Sequence, residues 1–343
     1  MSTLFLHIGP PKTATTFLQN EVLSEIRSAD CLTKPHVPVG GEDVRIGSLF
    51  CFDPQVWGKT ESGAFRGFLK RVRSSNESDL IISDEGIYGG VASPQPWIPD
   101  SAEWKHGPFV RLQRQTFDIS NLSSLQLHLA KLSELAQDLG FEETKILFTT
   151  RRQDTKLASG YAQLSNRVRG ASQESFRKWA RHLTHDSLGY HAGGGKKLDY
   201  FEYWNGISDV VGRENVSVIP FELLKEDSHE FLDRWLGYLD VTEKGQVLGS
   251  LLGSRQQSNE RSVSKKTWTL RSPIRRGTLP AGRMFTALGL PWRFPLRWPD
   301  FEREETITLS EMFSKEILDT YRSANQSLDE SLPHLNLKDY GYY

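Results

Sequence analysis

Short apolar runs that end in a turn and lead into helical periodicity recur along these 343 residues. They predict an α/β protein, a mainly parallel sheet with helices on both faces. Three stretches carry the expectation: Leu4–Ile8, the run Leu80-Ile-Ile-Ser83, and Lys145-Ile-Leu-Phe-Thr-Thr150. Each reads as a buried parallel strand. Each is followed by polar residues where the C-terminal edge of the sheet would lie, which is where open α/β sheets place their chemistry.

The composition narrows the class. With 37% hydrophobic and 25% charged residues the chain is neither disordered nor membrane-embedded. A net charge of -1 gives no general attraction to nucleic acid or anionic membranes. Two cysteines, Cys31 and Cys51, make neither a disulfide framework nor a zinc site on their own. No signal-peptide core and no membrane-spanning run is evident, so a cytoplasmic protein is expected. The length suits one large α/β domain, 1–343, and no internal repeat is evident.

The first stretch organises the rest. Leu4–Ile8 leads into Gly9-Pro-Pro-Lys-Thr-Ala-Thr-Thr-Phe17, and the spacing of Phe17, Leu18, Val22, Leu23 and Ile26 predicts a helix continuing to Ile26. Strand, tight turn and helix N-terminus make an anion site, since free N–H groups and the positive end of the dipole face outward. Lys12 adds a charge, and Thr13, Thr15 and Thr16 add hydroxyls. A triphosphate loop has a Gly, four spacers and Gly-Lys-Ser/Thr, so that successive N–H groups wrap the phosphates. Here Gly9 stands three residues before Lys12, and Pro10 and Pro11 carry no N–H. The shorter, stiffer turn fits a smaller and less charged group.

From Asp30 to Gly67 the pattern fades into a loop-rich region punctuated by prolines and glycines, with a short helix over Phe65–Val72. Leu80–Ser83 then ends in Asp84-Glu85-Gly86. Three readings of these carboxylates stand: Glu85 as a general base toward an acceptor hydroxyl, Asp84-Glu85 as a magnesium-holding pair, or a strand-end carboxylate bound to nearby N–H groups. Irregular sequence over Gly89–Phe117, with Trp97 and Trp104, is either an acceptor wall or packing beneath a long loop. Leucines spaced over Asn121–Leu139 predict a helix capped by Asn121 or Ser123.

After Thr150 come Arg151 and Arg152, then a helix starting near Asp154 or Thr155, with Ser159 eight residues beyond Arg151. Cations at a helix N-terminus are opposed by the dipole unless an anion joins them. Helices are expected over Ser172–Leu183 and Leu198–Val211, a strand over Val216–Glu222, and a helix over Phe231–Leu239. Glu222 reads as structural, orienting loop backbone. Residues 253–303 carry eleven basic against three acidic side chains, a net +8, interleaved with Trp268, Phe285, Trp292, Phe294 and Trp298. This is either a solvated basic surface or a surface for an anionic partner. Thr308-Leu-Ser-Glu311 reads as a capping box for a last helix to about Leu328.

The first and third stretches resemble sulfotransferases that use 3′-phosphoadenosine 5′-phosphosulfate (PAPS). Pro11-Lys-Thr-Ala-Thr-Thr-Phe17 is similar to that family's 5′-phosphosulfate loop, with Ala14 where a Gly is usual. Ala14 is expected to be tolerable there if it is already helical. The strand, Arg151 and Ser159 resemble its 3′-phosphate motif. The strand ending Ser-Asp-Glu85, the run Phe221-Glu222 and the tail Asp339–Tyr343 look like its bacterial members. The resemblance implies a P-loop-like sulfotransferase fold with PAPS as sulfuryl donor and no metal requirement. Pro11, Lys12, Thr13, Ala14, Thr15, Thr16 and Phe17 would hold the phosphosulfate end. Arg151 or its neighbour Arg152 would hold the 3′-phosphate with Ser159, and Arg261 in Asn259–Ser262 would close over the nucleotide. Lys12 and Glu85 would be catalytic. The expected acceptor bears a hydroxyl or amine, with a carbohydrate, an anionic glycan or a glycolipid as the class, and no nucleic acid. Two alternatives remain: a P-loop phosphotransferase or nucleotide hydrolase, and a non-catalytic, nucleotide-gated glycan-binding protein.

Overall fold

The computed structural model describes residues 2–39, 42–50, 59–75, 78–88, 122–168, 170–187, 190, 195–255, 266–271 and 305–343. Its centre is a five-stranded, wholly parallel sheet of β1 (Thr3–His7), β2 (Ala29–Thr33), β5 (Asp79–Ser83), β6 (Glu143–Thr150) and β7 (Val216–Pro220), in the order β2-β5-β1-β6-β7. β1 pairs with β5 on one side (Leu4↔Leu80) and β6 on the other (Leu6↔Ile146). The first strand in the chain is therefore the middle of the sheet. The loop that follows it emerges between the ends of β5 and β6.

Alternation along β1 sorts its side chains between two cores. Leu4 and Leu6 join Leu80, Ile82, Ile146 and Phe148 against helices Lys59–Ser75, Leu122–Gln137 and Tyr200–Val211. Phe5, with Ile81 and Leu147, faces Leu18, Val22 and Leu23 and the helices Ser228–Tyr238 and Lys244–Arg255. Helices thus cover both faces, as the apolar strands require, because a parallel sheet has no wet side. A third cluster packs the helices Gln153–Leu164 and Gln173–His185 against the last helix, Glu311–Ser331. Among the described residues no helix is long and apolar enough to cross a membrane.

Several local expectations are corrected. The region after Asp30 is not loop: it holds edge strand β2, the hairpin β3 (His36–Val39) and β4 (Glu42–Arg45), and a turn of helix at Ile46–Leu49. β2 is only half-buried, so its sequence shows no apolar run. The helix around Phe65 is longer than expected, Lys59–Ser75. The segment after the first loop is not one α-helix. It is α-helical over Thr15–Phe17, π-helical over Leu18–Val22 and 3-10 over Leu23–Glu25, with Leu18, Val22, Leu23 and Ile26 still buried. β7 stops at Pro220, and Glu222 sits in the short helix Phe221–Glu226. The last helix is capped by Ser310, whose hydroxyl accepts from Phe313 N–H at 3.3 Å, because Thr308 belongs to β9 (Thr306–Thr308). β9 pairs antiparallel with β8 (Thr267–Thr269). The two strands bracket most of the basic segment. The greater part of 253–303, the Trp97/Trp104 stretch and the Asn121 cap lie outside the described residues.

Candidate active site

The turn after β1 is built on strained backbone. Lys12 has φ 76° and Ala14 φ 62°, both left-handed. Ala14 is the N-cap of the Thr15 helix, not part of it, so the condition under which Ala14 was to be easily tolerated is not met. Left-handed backbone costs an L-residue roughly 1–2 kcal/mol, which explains why a Gly is the easier choice at this point. Thr13 is fully buried between them, and its hydroxyl donates to Pro10 O at 2.7 Å. That hydrogen bond braces the turn. Thr15 is buried and Thr16 exposed at the helix start.

At the end of β5 the two carboxylates have separate roles. Asp84 is wholly buried. Its Oδ2 accepts from Arg45 Nε and from Gly47 N–H, each at 2.9 Å; its Oδ1 accepts from Gly86 N–H at 2.7 Å and from Arg45 Nη2. The two glycines are required by close approach: a Cβ on Gly47 would stand 2.7 Å from Gly86 Cα and 2.8 Å from the Asp84 oxygens. With both oxygens so engaged, Asp84 is a poor metal ligand, and the described residues contain no cluster of three or more His, Cys, Asp or Glu placed to hold one. Glu85 opens onto the cleft. Its Oε1 pairs with Lys34 Nζ at 2.8 Å and Arg45 Nη2 at 3.3 Å, and its Oε2 accepts from Gln19 Nε2 at 3.3 Å. Burial pushes its pKa up, but the hydrogen bonds and the Lys34 charge win and hold it below the ordinary carboxylate value. The opposing charge comes from Lys34, distant in sequence from the strand end.

At the end of β6 the adjacent arginines diverge. Arg151 is buried, with Nε donating to Thr155 Oγ1 at 3.2 Å, Nη1 donating to Lys12 O at 2.7 Å, and its guanidinium 4.9 Å from the Phe221 ring centroid. Arg152 forks onto Asp154 with two 2.9 Å hydrogen bonds, and its N–H donates to Glu222 Oε1 at 3.1 Å. Glu222 therefore orients loop backbone, as expected, and its Oε2 accepts from Tyr342 OH at 2.8 Å, which ties the C-terminal tail to the site. Ser159 lies two turns along the same helix, half-buried.

Pro11, Lys12, Ala14, Thr15, Thr16, Phe17, Glu85, Arg151 and Arg152 all line one cleft of about 1730 Å³, in a region that 139 residues of chain separate at Lys12 and Arg151. Thr13 and Ser159 do not line it. Arg261 lies outside the described residues. Seven basic and seven acidic side chains line this cleft. Arg152, Lys266, Lys315 and Arg322 each have a carboxylate partner. Among the described residues, Lys12, Arg151 and Lys225 make no ion pair. Burial lowers the Lys12 pKa, and the Arg271 and Arg151 charges lower it further. Burial and Arg151 do the same to Lys225.

Sequence reading missed Lys225, one turn after Phe221, Arg45 in the hairpin and Lys34 just before it. It also missed Lys156, buried beside the Tyr88 ring, whose pKa burial, Arg151 and Lys197 push well down. Position relative to strand ends could have flagged Lys225; nothing local flags Lys34 or Arg45.

No protein-family model matches this chain, and no curated protein matches it. Among solved structures the chain is similar to a sulfotransferase from Alicyclobacillus acidocaldarius, at 14% identity and TM-score 0.45, over 98% of this chain and 97% of that one. It is also similar to the sulfotransferase domain from the curacin biosynthetic pathway, at 12% identity and TM-score 0.28, over 70% and 74%. The fold assignment rests on the strand order, and the chemistry on the loop, the strand-end carboxylates and the cations that make no ion pair among the described residues. Both of these solved structures are sulfotransferases, the family that the sequence itself resembles at Pro11–Phe17 and at Arg151 with Ser159.

Proposed function

We propose that the chain moves a sulfuryl group from PAPS to the hydroxyl of an acceptor, with a carbohydrate or glycoconjugate as the acceptor class. The observation that carries this reading is the pair Lys12–Arg151: two cations that make no ion pair among the described residues, held together at 2.7 Å through the Lys12 carbonyl, at a turn too poor in N–H groups for a triphosphate. PAPS fits this donor set, because it presents a phosphosulfate and a separate 3′-phosphate, and it supplies an activated sulfuryl group.

The chain's residues would then act as follows. Lys12 and the N–H groups at the Thr15 helix start hold the phosphosulfate, with Thr15 and Thr16 hydroxyls beside them and Phe17 toward the base. The Arg151 Nη2 donors, which neither Thr155 nor Lys12 uses, meet the 3′-phosphate, and Lys225 adds charge at the rim. Glu85 takes the acceptor's proton as the acceptor oxygen bonds to sulfur. The bond from sulfur to the bridging oxygen breaks, its electron pair stays on the departing phosphate, and Lys12 neutralises the charge that develops. No step needs a metal ion. The acceptor would enter from the side where Glu85 faces the cleft.

The test is release of 3′-phosphoadenosine 5′-phosphate (PAP) from PAPS with a panel of sugars and simple alcohols. Lys12→Ala is expected to lower turnover by on the order of a hundredfold or more. Turnover that survives in this variant, or that requires ATP in place of PAPS, contradicts the assignment.

A further inference from the structure

Behind Glu85 lies a buried polar chain that the reaction scheme above does not use. Gln19 stands on the π-helical stretch Leu18–Val22, where Leu18 and Val22 are buried and apolar. Its own side chain is buried too, and points at the end of β5. Its Nε2 donates to Ser83 Oγ at 3.0 Å, to Ser83 O at 3.3 Å and to Glu85 Oε2 at 3.3 Å. A carbonyl and a carboxylate only accept, so the amide orientation is unambiguous: NH₂ faces Ser83 and Glu85. Ser83 is fixed in turn. Its Oγ lies 2.8 Å from His7 Nδ1, and its carbonyl also accepts from Lys34 N–H at 2.9 Å. His7 is fully buried, which lowers its pKa to about 4 against the opposing pull of Glu85, so it is neutral near pH 7.

The two oxygens of Glu85 are therefore unlike. Oε1 carries the Lys34 and Arg45 ion pairs. Among the side chains of the described residues, the partner of Oε2 is the uncharged Gln19 amide at 3.3 Å, which has two alternative acceptors on Ser83. A proton arriving on Oε2 displaces only that bond, and Gln19 can turn fully to Ser83. A proton on Oε1 would face two cations. π-Helical turns are rare and occur mostly at functional sites; here the wider turn brings a polar side chain out of an apolar helix face onto the strand end.

We propose that Gln19 is a positioning residue that holds Glu85 so that Oε2 is the oxygen that receives the acceptor's proton. This rests on the assignment of Glu85 as the base. Among the described residues, the side chains facing Glu85 are Lys34 just before the hairpin, Arg45 from its second strand, Asp84 next to it in the chain, His7 behind Ser83, and Gln19. Of these Gln19 alone touches Oε2.

The test compares Gln19→Leu, Gln19→Glu and Glu85→Gln with the wild-type chain. PAP binding, PAP release from PAPS with the best acceptor of the panel, and the pH dependence of kcat are measured for each. A ¹³C NMR titration of the Glu85 carboxyl reads the same group without turnover. The Gln19 N–H favours ionised Glu85, so removing it raises the Glu85 pKa, and a carboxylate at position 19 raises it too. Both Gln19 variants are expected to bind PAP as the wild type does. They should lose on the order of tenfold to a hundredfold in kcat and move the acid limb and the NMR midpoint to higher pH. A fall in kcat with an unmoved limb and midpoint would make Gln19 merely structural and overturn the proposal. If Glu85→Gln keeps full turnover, the base assignment fails and takes the Gln19 proposal with it. If Glu85→Gln loses turnover but the limb stays put in both Gln19 variants, only the Gln19 proposal falls. Gln19→Glu keeps the shape of the side chain, so the comparison survives a Gln19→Leu chain that does not fold.

Discussion

Arg151 Nη1 donates a 2.7 Å hydrogen bond to the carbonyl oxygen of Lys12, across 139 residues of chain. In the proposed PAPS site the two motifs would thus be one mechanical unit: the arginine braces the backbone of the residue whose side chain would face the phosphosulfate. Removing either should disturb both. Arg151→Ala and Lys12→Ala are each expected to weaken PAP binding, and the double variant to lose less than the sum. A coupling of about 0.5–3 kcal/mol is the scale for residues in one network. Isothermal titration of PAP against the four chains measures it, and strict additivity would contradict the shared unit.

Ala14→Gly is expected to stabilise the protein. The left-handed backbone at Ala14, φ 62°, costs roughly 1–2 kcal/mol, and glycine's greater loss of freedom on folding returns about 0.5–1 kcal/mol of that. The net gain is about 0.5–1 kcal/mol in a urea titration. Ala14→Val, with a branched Cβ at positive φ, is expected to be destabilised. No gain in the glycine variant would mean that the turn is not strained as described.

Asp84→Asn is expected to cost about 1–3 kcal/mol of stability, the scale for losing charged hydrogen bonds at a buried acceptor, with Arg45 keeping only its 3.3 Å contact to Glu85. Magnesium is not expected to restore either stability or activity. A variant of normal stability that has lost a magnesium dependence would instead support the metal-holding reading of Asp84 and Glu85.

Much of this arrangement was legible in the sequence, for a physical reason. Parallel strands buried on both faces must be apolar runs, and the residues after them must be the polar ones that the turn brings together. Lys12, Glu85 and Arg151 were found by that logic, and all three line the cleft. What was not legible came from non-local contacts. β2 and the hairpin strands are partly exposed and short, so no pattern marked them, and with them went Lys34 and Arg45, the partners that set the charge state of Glu85. Ala14 is a backbone effect: nothing in an Ala-Thr-Thr run says that the chain turns left-handed one residue before the helix starts.

The pH dependence follows from those partners. The Glu85 pKa is depressed below its ordinary 4.5, so its stabilising contribution is fully present above that value and is lost as pH falls through the folded-state value. Glu85→Gln should remove this part of the acid sensitivity, seen as a smaller drop in denaturation midpoint between neutral and acid pH. The Lys12 pKa is lowered by burial, with the nearby Arg271 and Arg151 charges adding to it, so the alkaline limb of kcat/KM is expected below the ordinary lysine range. An alkaline limb at or above that range would place the required cation elsewhere.

The most direct test of the central claim is a titration of the wild-type chain with PAP, ADP and AMP in EDTA, followed by magnesium with ATP. In the proposed site the 3′-phosphate is the group that Arg151 and Lys225 would meet. PAP is expected to bind at least about tenfold more tightly than ADP, the least that one good charge-assisted hydrogen bond provides, and to do so without metal. Equal affinity for PAP and ADP, or tight binding of ATP only with magnesium, would contradict a PAPS site and favour a nucleotide triphosphate enzyme.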